Sequence, residues 1–180
     1  MFTTKLNSNN VFVVGPMGVG KTTVGRILSK ELGLKFIDVD EEIERRAGAN
    51  ISWIFDVEGE DGFRDRETQV LEDLTSMNNV LLSTGGGAVL RKENRKWLET
   101  RGLVIYLIAD TEILVKRTKN DNKRPLLRGK NLKKMIETIL REREYLYQQV
   151  SDIVVPVEER SSKKTVSKIK DVLRREGYIG

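Results

Sequence analysis

The sequence predicts an α/β fold in which parallel strands alternate with helices. Short β-branched runs alternate with longer charged stretches of helical period, and a glycine-rich loop follows the first run directly. Each run is apolar enough to lie inside a sheet that is covered on both faces. The five predicted strands are Val11–Val14, Lys35–Asp38, Val80–Ser83, Val104–Ile108 and Ile153–Val155.

Glycines and apolar spacing predict the helices between these strands. Thr22–Leu32 and Arg91–Thr100 are each followed by a glycine, Gly33 and Gly102, and glycine is favoured just past a helix C-terminus. A longer helix is predicted over Leu132–Val150, with its aliphatic residues in the core. These core residues are Ile136, Ile139, Leu140 and Leu146.

Two insertions interrupt the alternation within one predicted domain over residues 1–180. Glu42–Met77 is too long for a single crossover helix, and its glycines predict a small helical subdomain in which a small-molecule acceptor would bind. Asn120–Asn131 is polar, lacks an apolar period and carries Arg124 and Arg128. That composition is typical of a lid that closes over a site.

Length and composition exclude several kinds of chemistry. The chain has 180 residues, a net charge of +5, and neither cysteine nor histidine. A domain of this size folds without a disulfide or a structural metal. The missing residue types exclude a thiol nucleophile, a Ser-His-Asp triad and a metal site ligated by Cys or His. Carboxylates, cations, hydroxyls and backbone amides remain for the chemistry.

Composition also predicts the compartment and the class of partner. Met1–Asn10 carries one lysine and no apolar run, so we expect no secretory leader, no membrane span and a cytoplasmic protein. Aromatic residues make up only 6% of the chain, which leaves few platforms for stacked bases. We therefore expect no nucleic-acid partner, and anionic small molecules explain the small positive charge equally well.

A phosphate-binding loop follows the first predicted strand. Gly15–Thr22 reads G-P-M-G-V-G-K-T and matches G-x-x-x-x-G-K-[ST] without a mismatch. The glycines let backbone N–H groups face phosphate oxygens, Lys21 can reach the β- and γ-phosphates, and Thr22 can ligate Mg²⁺. The loop predicts a nucleoside triphosphate with Mg²⁺. A GTPase is disfavoured because the chain lacks the N-K-x-D motif of guanine recognition.

Two aspartates stand at the end of the second predicted strand. Asp38 and Asp40 are two residues apart, so on an extended chain their side chains point to the same side. Ligands of open α/β sheets bind beyond the carboxyl ends of the strands, which predicts both carboxylates beside the triphosphate. We expect Asp38 to hold Mg²⁺. Asp40 is expected either to accept the proton of a phosphoryl acceptor or to cap the helix that starts at Glu41.

Glycines and arginines supply further candidates. A tight turn needs one or two glycines, so the third residue of Gly85–Gly87 suggests main-chain contact with an anionic group. Arg64, in the first insertion, could grip a carboxylate through two hydrogen bonds. Most of the 32 basic residues are nevertheless expected at the solvated surface. The arginines considered for a site are Arg64, Arg117, Arg124, Arg128 and Arg143.

Taken together, these segments resemble the shikimate kinase family in order and spacing from Val11 to about Val157. The matching segments are G-P-M-G-V-G-K-T, F-I-D-V-D, I-x-x-I-F with G-F-R downstream, G-G-G-A-V, R-P-L-L and R-E-Y-L-Y. The resemblance implies a P-loop kinase fold with strand order 2-3-1-4-5. It also implies a monomer that uses ATP and Mg²⁺ to phosphorylate the 3-hydroxyl of shikimate, in aromatic amino-acid biosynthesis.

The same resemblance assigns roles to individual positions. Nucleotide binding is assigned to Gly18, Val19, Gly20, Lys21, Thr22, Thr23, Arg117, Arg124 and Arg160. Shikimate binding is assigned to Asp40, Arg64, Gly86, Gly87 and Arg143, with the two arginines clamping the carboxylate. Mg²⁺ is assigned to Thr22 and Asp38, and catalysis to Lys21, Asp40 and the lid arginine Arg124.

Two other functions stay open at this stage. A kinase of similar fold could act on gluconate or a nucleoside monophosphate, although a phosphate-bearing acceptor calls for a denser arginine cluster around the first insertion. An ATP-binding regulator without catalysis is the alternative outside the enzymes. The intact set of Lys21, Thr22, Asp38 and Asp40 argues against such a regulator.

Overall fold

A five-stranded parallel sheet forms the centre of the computed structural model, which describes residues 9–119, 131–159 and 161–180. The strands are β1 Val11–Val14, β2 Lys35–Asp38, β3 Val80–Ser83, β4 Leu103–Ile108 and β5 Ile153–Pro156. They lie in the order β2-β3-β1-β4-β5, so the predicted strands and their order are confirmed. Among the described residues, no helix is both long enough and apolar enough to cross a lipid bilayer.

Seven helices in the described residues flank this sheet. They are α1 Lys21–Leu32, α2 Val39–Ala47, α3 Ile51–Thr75, α4 Lys92–Arg101, α5 Thr111–Thr118, α6 Leu132–Val150 and α7 Ser162–Arg175. The first insertion is thus occupied by most of α2 and all of α3. The predicted lid over residues 120–131 lies, except for Asn131, outside the described residues.

The sheet is covered on both faces because its central strands are apolar on both sides. Successive residues of β1 point to opposite faces: Val11 and Val13 join one core cluster, and Phe12 and Val14 join the other. All four side chains are fully buried. On α6, Ile136 and Leu146 are buried as predicted, and Ile139 and Leu140 pack partly buried against the core.

Glycines end two of the helices for different reasons. Gly33, after α1, has φ 67°, the left-handed conformation that the prediction implied. Gly102 follows α4 as predicted, but its backbone is extended, with φ −173°. A Cβ at Gly102 would lie 2.6 Å from the ring of Phe12. This glycine is needed for close packing between a helix end and the first strand.

The long helix α3 is interrupted at Gly59. This residue has φ 73° and ψ −178°, so its backbone is not helical and divides α3 into two segments. Glu58 and Arg66 form a two-point ion pair across the break, with both N–O distances 2.7 Å. The second segment carries Arg64, and the break therefore sets the direction from which this side chain approaches the sheet.

The side chain of Asn10, just before β1, joins three segments of the fold. Its Nδ2 donates to the carbonyl oxygens of Met77 at 2.6 Å and Arg101 at 3.3 Å. Its Oδ1 accepts from the N–H of Val80 at 3.2 Å. Asn10 is fully buried, so its amide group and the buried N–H of Val80 have no access to water as an alternative partner.

We expect Asn10→Ala to lower the free energy of unfolding by about 2 to 3 kcal/mol, because it leaves several buried backbone groups without a partner. Urea unfolding measures this change. Asn9→Ala is the matched control, since Asn9 is exposed and bonds to the side chain of Asn79 alone among the described residues. Equal losses of unfolding free energy in Asn10→Ala and Asn9→Ala would contradict the stabilising role of the Asn10 side chain.

Candidate active site

A cavity of about 240 Å³ lies at the carboxyl ends of β1, β2 and β3. The segments that follow these strands meet there because the carboxyl ends of parallel strands lie at one edge of the sheet. The cavity is lined by Gly18, Gly20, Lys21, Thr22, Thr23, Asp38, Asp40, Thr84, Gly85, Gly86 and Arg117. The structure thus brings together the phosphate-binding loop, both aspartates and two glycines of the third motif.

The phosphate-binding loop curls around its own lysine. Gly15, Gly18 and Gly20 have φ values of 144°, 77° and 101°, which side-chain-bearing residues rarely adopt. Lys21 is buried, and its Nζ donates to the carbonyl oxygens of Gly15 at 2.8 Å and Pro16 at 2.9 Å. The ammonium group therefore already lies inside the loop that would surround the phosphates.

The N-terminus of α1 is suited to an anion. Gly20 is its N-cap residue and offers no side chain to bond the first N–H groups of the helix. No acidic residue stands in the first turn either. The positive end of the helix dipole and its N–H groups thus remain available to phosphate oxygens.

Arg117, on α5, connects the phosphate-binding loop to the segment after β5. Its Nη1 donates to the carbonyl oxygen of Val19 at 2.9 Å. Its Nη2 donates to the carbonyl oxygens of Glu158 at 3.3 Å and Glu159 at 2.9 Å. The guanidinium therefore lies beside the phosphate-binding loop, and its predicted stacking on adenine stays a prediction.

Asp38 uses its two carboxylate oxygens for two neighbouring segments. Oδ2 accepts the hydroxyl hydrogen of Thr22 at 2.7 Å. Oδ1 accepts from the backbone N–H groups of Asp40 at 3.0 Å and Glu41 at 3.3 Å. Asp38 is therefore the N-cap of α2, and the alternative in which Asp40 caps this helix is wrong because α2 begins one residue before Asp40.

The glycine turn Gly85–Gly87 is packed against three charged side chains. A Cβ on Gly85 would lie 2.8 Å from Oε1 of Glu67 and 2.9 Å from Oδ1 of Asp40, and a Cβ on Gly87 would collide with the guanidinium of Arg64. None of the three glycines has a positive φ, so the crowding at Gly85 and Gly87 is a matter of space rather than of backbone conformation. Asp40 and Arg64 therefore converge on the same turn from α2 and α3.

Arg64 is held by a buried carboxylate. Its Nη1 donates to Oε2 of Glu67 at 2.6 Å, and its Nη2 donates to Glu60 at 3.2 Å. Burial raises the pKa of the Glu67 carboxyl, and the positive charges of Arg64 and Arg143 counter only part of that effect. Nε of Arg64 and Oε1 of Glu67 are buried without a hydrogen-bond partner among the described residues.

Arg143 and Tyr147 approach the same turn from α6. Both side chains are buried, and they lie one helical turn apart. The Tyr147 hydroxyl donates to the carbonyl oxygen of Gly86. Arg143 also lines a larger cavity of about 560 Å³, which lies between Glu60 on α3 and the exposed side of α6.

Sequence reasoning missed Glu67 and Tyr147 as parts of the site. The three-residue spacing from Arg64 to Glu67 on a helix was the available signal, because such residues face each other. The contact of Tyr147 with Gly86 joins residues 61 positions apart and has no local signal. Arg124, Arg128 and Arg160 lie outside the described residues, so their predicted roles stay predictions.

Comparisons with known proteins identify the family of this chain. The family model described as "Shikimate kinase" matches residues 17–174. A shikimate kinase of Haemophilus influenzae is 50% identical over 165 residues, which cover 91% of this chain and 92% of that protein. A shikimate kinase of Pasteurella multocida is also 50% identical over 165 residues, covering 91% of this chain and 94% of that one.

Solved structures show the same fold. The structure of shikimate kinase from Acinetobacter baumannii in complex with shikimate superposes with a TM-score of 0.92 at 43% sequence identity, covering 94% of this chain and 95% of that one. Shikimate kinase from Aquifex aeolicus superposes with a TM-score of 0.80 at 34% identity, covering 95% and 99%. On the family match, the sequence identity and the shared architecture, this chain belongs to the shikimate kinase family.

Proposed function

We propose that the chain transfers the γ-phosphoryl group of ATP to the 3-hydroxyl of shikimate in the crevice formed by the phosphate-binding loop, the two aspartates and the glycine turn. Members of this family are ATP-dependent kinases of the shikimate pathway. The observation that supports this assignment is the convergence of Asp40 and Arg64 on the turn that also borders the phosphate-binding loop. In this arrangement, the γ-phosphate of the nucleotide faces the hydroxyl of a carboxylated acceptor.

The nucleotide half of this crevice is formed by residues 18–23. The N–H groups at the start of α1 bind phosphate oxygens. Lys21 exchanges the carbonyl oxygens of Gly15 and Pro16 for β- and γ-phosphate oxygens, which carry more negative charge. Arg117 and, outside the described residues, Arg160 contact the adenine side. Arg124 of the lid neutralises the transferring group.

The oxygen donors of Thr22 and Asp38 fit Mg²⁺. They are a hydroxyl and a carboxylate already 2.7 Å apart, and hard divalent cations prefer oxygen ligands. Among the described residues, no cluster of three acidic, Cys or His side chains could hold a metal by itself. Mg²⁺ typically keeps waters and binds through one or two protein oxygens plus substrate phosphates. When bound there, it neutralises charge on the phosphates.

The acceptor half contains two buried guanidinium groups. Arg64 and Arg143 are both buried near Glu67, whose fully buried carboxylate is itself disfavoured as an anion. Nε of Arg64 and Nε of Arg143 have no hydrogen-bond partner among the described residues, and a carboxylate from the acceptor can bind a guanidinium through two hydrogen bonds. Gly86 and Gly87 supply main-chain contacts beside it.

Asp40 is expected to bind the acceptor hydroxyls. It lies in the first turn of α2, where the helix dipole stabilises a negative charge. A carboxylate in that position orients the 3-hydroxyl toward the γ-phosphorus and can take its proton as the new P–O bond forms. Phosphoryl transfer needs mainly positioning and charge neutralisation, so the absence of histidine from the chain is no obstacle.

A monomer in the cytoplasm is sufficient for this activity. Both halves of the proposed crevice come from one chain in the described residues. Four of the six basic side chains of α7 are paired with acids, such as Lys170 with Glu31 at 2.5 Å, so most of the positive charge of this helix is neutralised. Size-exclusion chromatography with light scattering tests the oligomeric state.

A panel of phosphoryl acceptors tests the function directly. With ATP and Mg²⁺, we expect ADP release with shikimate and only background release with gluconate or nucleoside monophosphates. Phosphorus NMR of the product should show a phosphate ester on the 3-oxygen. Tight ATP binding without turnover of any acceptor would instead support a regulator, and turnover of another acceptor would reassign the substrate.

Arg64→Ala should weaken shikimate binding by about 2 to 4 kcal/mol, roughly 30-fold to 1000-fold in affinity, because it removes a desolvated charge partner. ATP binding should change little. Titration calorimetry with each substrate measures both. Arg66→Ala is the matched control on the same helix, since Arg66 pairs with Glu58 at the surface. Equal losses for shikimate and ATP would contradict the clamp.

Substitutions of Asp38 should separate its two roles. Asparagine is also a good N-cap but carries no charge, whereas alanine provides neither function. We expect both Asp38→Asn and Asp38→Ala to raise the Mg²⁺ concentration needed for half-maximal rate. Only Asp38→Ala should also weaken shikimate binding measured without nucleotide or metal, by about fivefold, because α2 loses its cap and Asp40 its position. Identical shikimate affinities of the Asp38→Asn and Asp38→Ala variants would contradict the capping role of Asp38.

A further inference from the structure

The hydroxyl of Tyr147 is committed to the glycine turn. Tyr147 is fully buried, and its hydroxyl donates to the carbonyl oxygen of Gly86. Its ring stacks on that of Tyr106, with centroids 5.1 Å apart and an interplanar angle of 29°. Burial raises the pKa of the Tyr147 hydroxyl, so the group stays protonated and remains a donor at all physiological pH values.

This hydrogen bond fixes one peptide plane of the turn. The carbonyl of Gly86 and the N–H of Gly87 belong to the same planar peptide, and the chain has no cis peptide bond among its described residues. In a trans peptide the C=O and N–H bonds point in opposite directions. Tyr147 therefore sets the direction of the Gly87 N–H, which makes no hydrogen bond to another described residue.

The fixed peptide lies between the two halves of the crevice. A Cβ on Gly86 would lie 3.4 Å from the backbone nitrogen of Met17 and 3.8 Å from the carbonyl oxygen of Gly15, both in the phosphate-binding loop. On its other side, Gly87 contacts the guanidinium of Arg64. A rotation of this peptide would thus change the position of the backbone groups that border the acceptor half relative to the phosphate-binding loop.

The helix that carries Tyr147 also carries the second arginine of the clamp. Arg143 lies one turn before Tyr147 on α6, and both side chains are buried. Arg143 is close enough to lower the pKa of the Tyr147 hydroxyl, although burial outweighs this effect. The helix α6 therefore places a cation beside the hydroxyl that donates to Gly86.

We propose that Tyr147 is a positioning residue for the acceptor: its hydroxyl holds the Gly86–Gly87 peptide so that the Gly87 N–H faces the bound shikimate. This inference rests on the proposed function of the crevice. Tyr147 itself touches neither substrate in this account. Tyr147 acts through the backbone of the turn. Because Tyr147 belongs to α6, the orientation of that backbone depends on the position of α6.

Tyr147→Phe tests the inference because it removes the hydroxyl and keeps the ring. Tyr106→Phe is the matched control, because it removes a hydroxyl from the other ring of the same stack. Within the described part of the chain, this hydroxyl makes no hydrogen bond to the turn. We expect the KM for shikimate to rise about fivefold to tenfold in Tyr147→Phe, as for one lost buried hydrogen bond, while the KM for ATP changes less than twofold. Tyr106→Phe should leave both constants within twofold of the wild type.

The outcomes separate positioning from general stability. A rise of both KM values together in Tyr147→Phe, or values equal to those of Tyr106→Phe, would overturn the inference. Melting temperatures of both variants show whether a loss of folded protein accounts for any change. Wild-type turnover of shikimate is measured first, since its absence would reject the proposed function rather than the role of Tyr147.

A measurement on the wild type stands independently of how Tyr147→Phe folds. Gly86 and Gly87 are the only glycines in the sequence that directly follow another glycine. In protein labelled with ¹³C,¹⁵N-glycine, a labelled carbonyl carbon is therefore bonded to a labelled nitrogen only in the two peptide bonds of this turn. The NMR signal that joins the Gly86 carbonyl to the Gly87 nitrogen should move when shikimate is added alone. A stationary signal at saturating shikimate would overturn the inference.

Discussion

The carboxylate of Asp38 is the interaction on which the geometry of the crevice depends. One oxygen bonds the Thr22 hydroxyl at the start of α1, and the other caps α2, the helix that carries Asp40. A single side chain thus links the nucleotide half to the acceptor half over a distance of a few ångströms. Because α1 and α2 both begin at the carboxyl edge of the sheet, their N-termini bring two positive dipole ends to the same region. The site is therefore predisposed to hold two anionic substrates together.

The second constraint is electrostatic and comes from α3 and α6. Burying Arg64, Arg143 and Glu67 together is costly unless their charges balance, and the described protein groups leave Nε of Arg64 and Nε of Arg143 without a partner. In the proposed function, the carboxylate of the acceptor is the partner of these nitrogen atoms. Specificity for a carboxylated ring then follows from the same groups that give affinity, since an uncharged analogue would leave the guanidinium groups desolvated and unpaired.

Local patterns were sufficient for the sheet and for the phosphate-binding loop. The strand bounds and the P-loop depend on short-range features, namely apolar runs and glycines at fixed spacing. Where local patterns were not sufficient, tertiary packing decided: Gly102 ends α4 in an extended conformation packed against Phe12, and the cap of α2 is the strand residue Asp38 rather than Asp40. Tyr147 was invisible as a site component because its partner lies 61 residues away. Residue types select candidates, but only the folded chain shows which of them meet.

The crowding of the glycine turn also limits how the sequence can change over evolutionary time. Gly85 and Gly87 have backbone angles that any amino acid can adopt, so a methyl group is excluded there only by the neighbouring side chains Glu67, Asp40 and Arg64. Since those neighbours are themselves parts of the crevice, an alanine at either glycine would displace their carboxylate or guanidinium groups. Variation in the turn is therefore coupled to the side chains of α2 and α3.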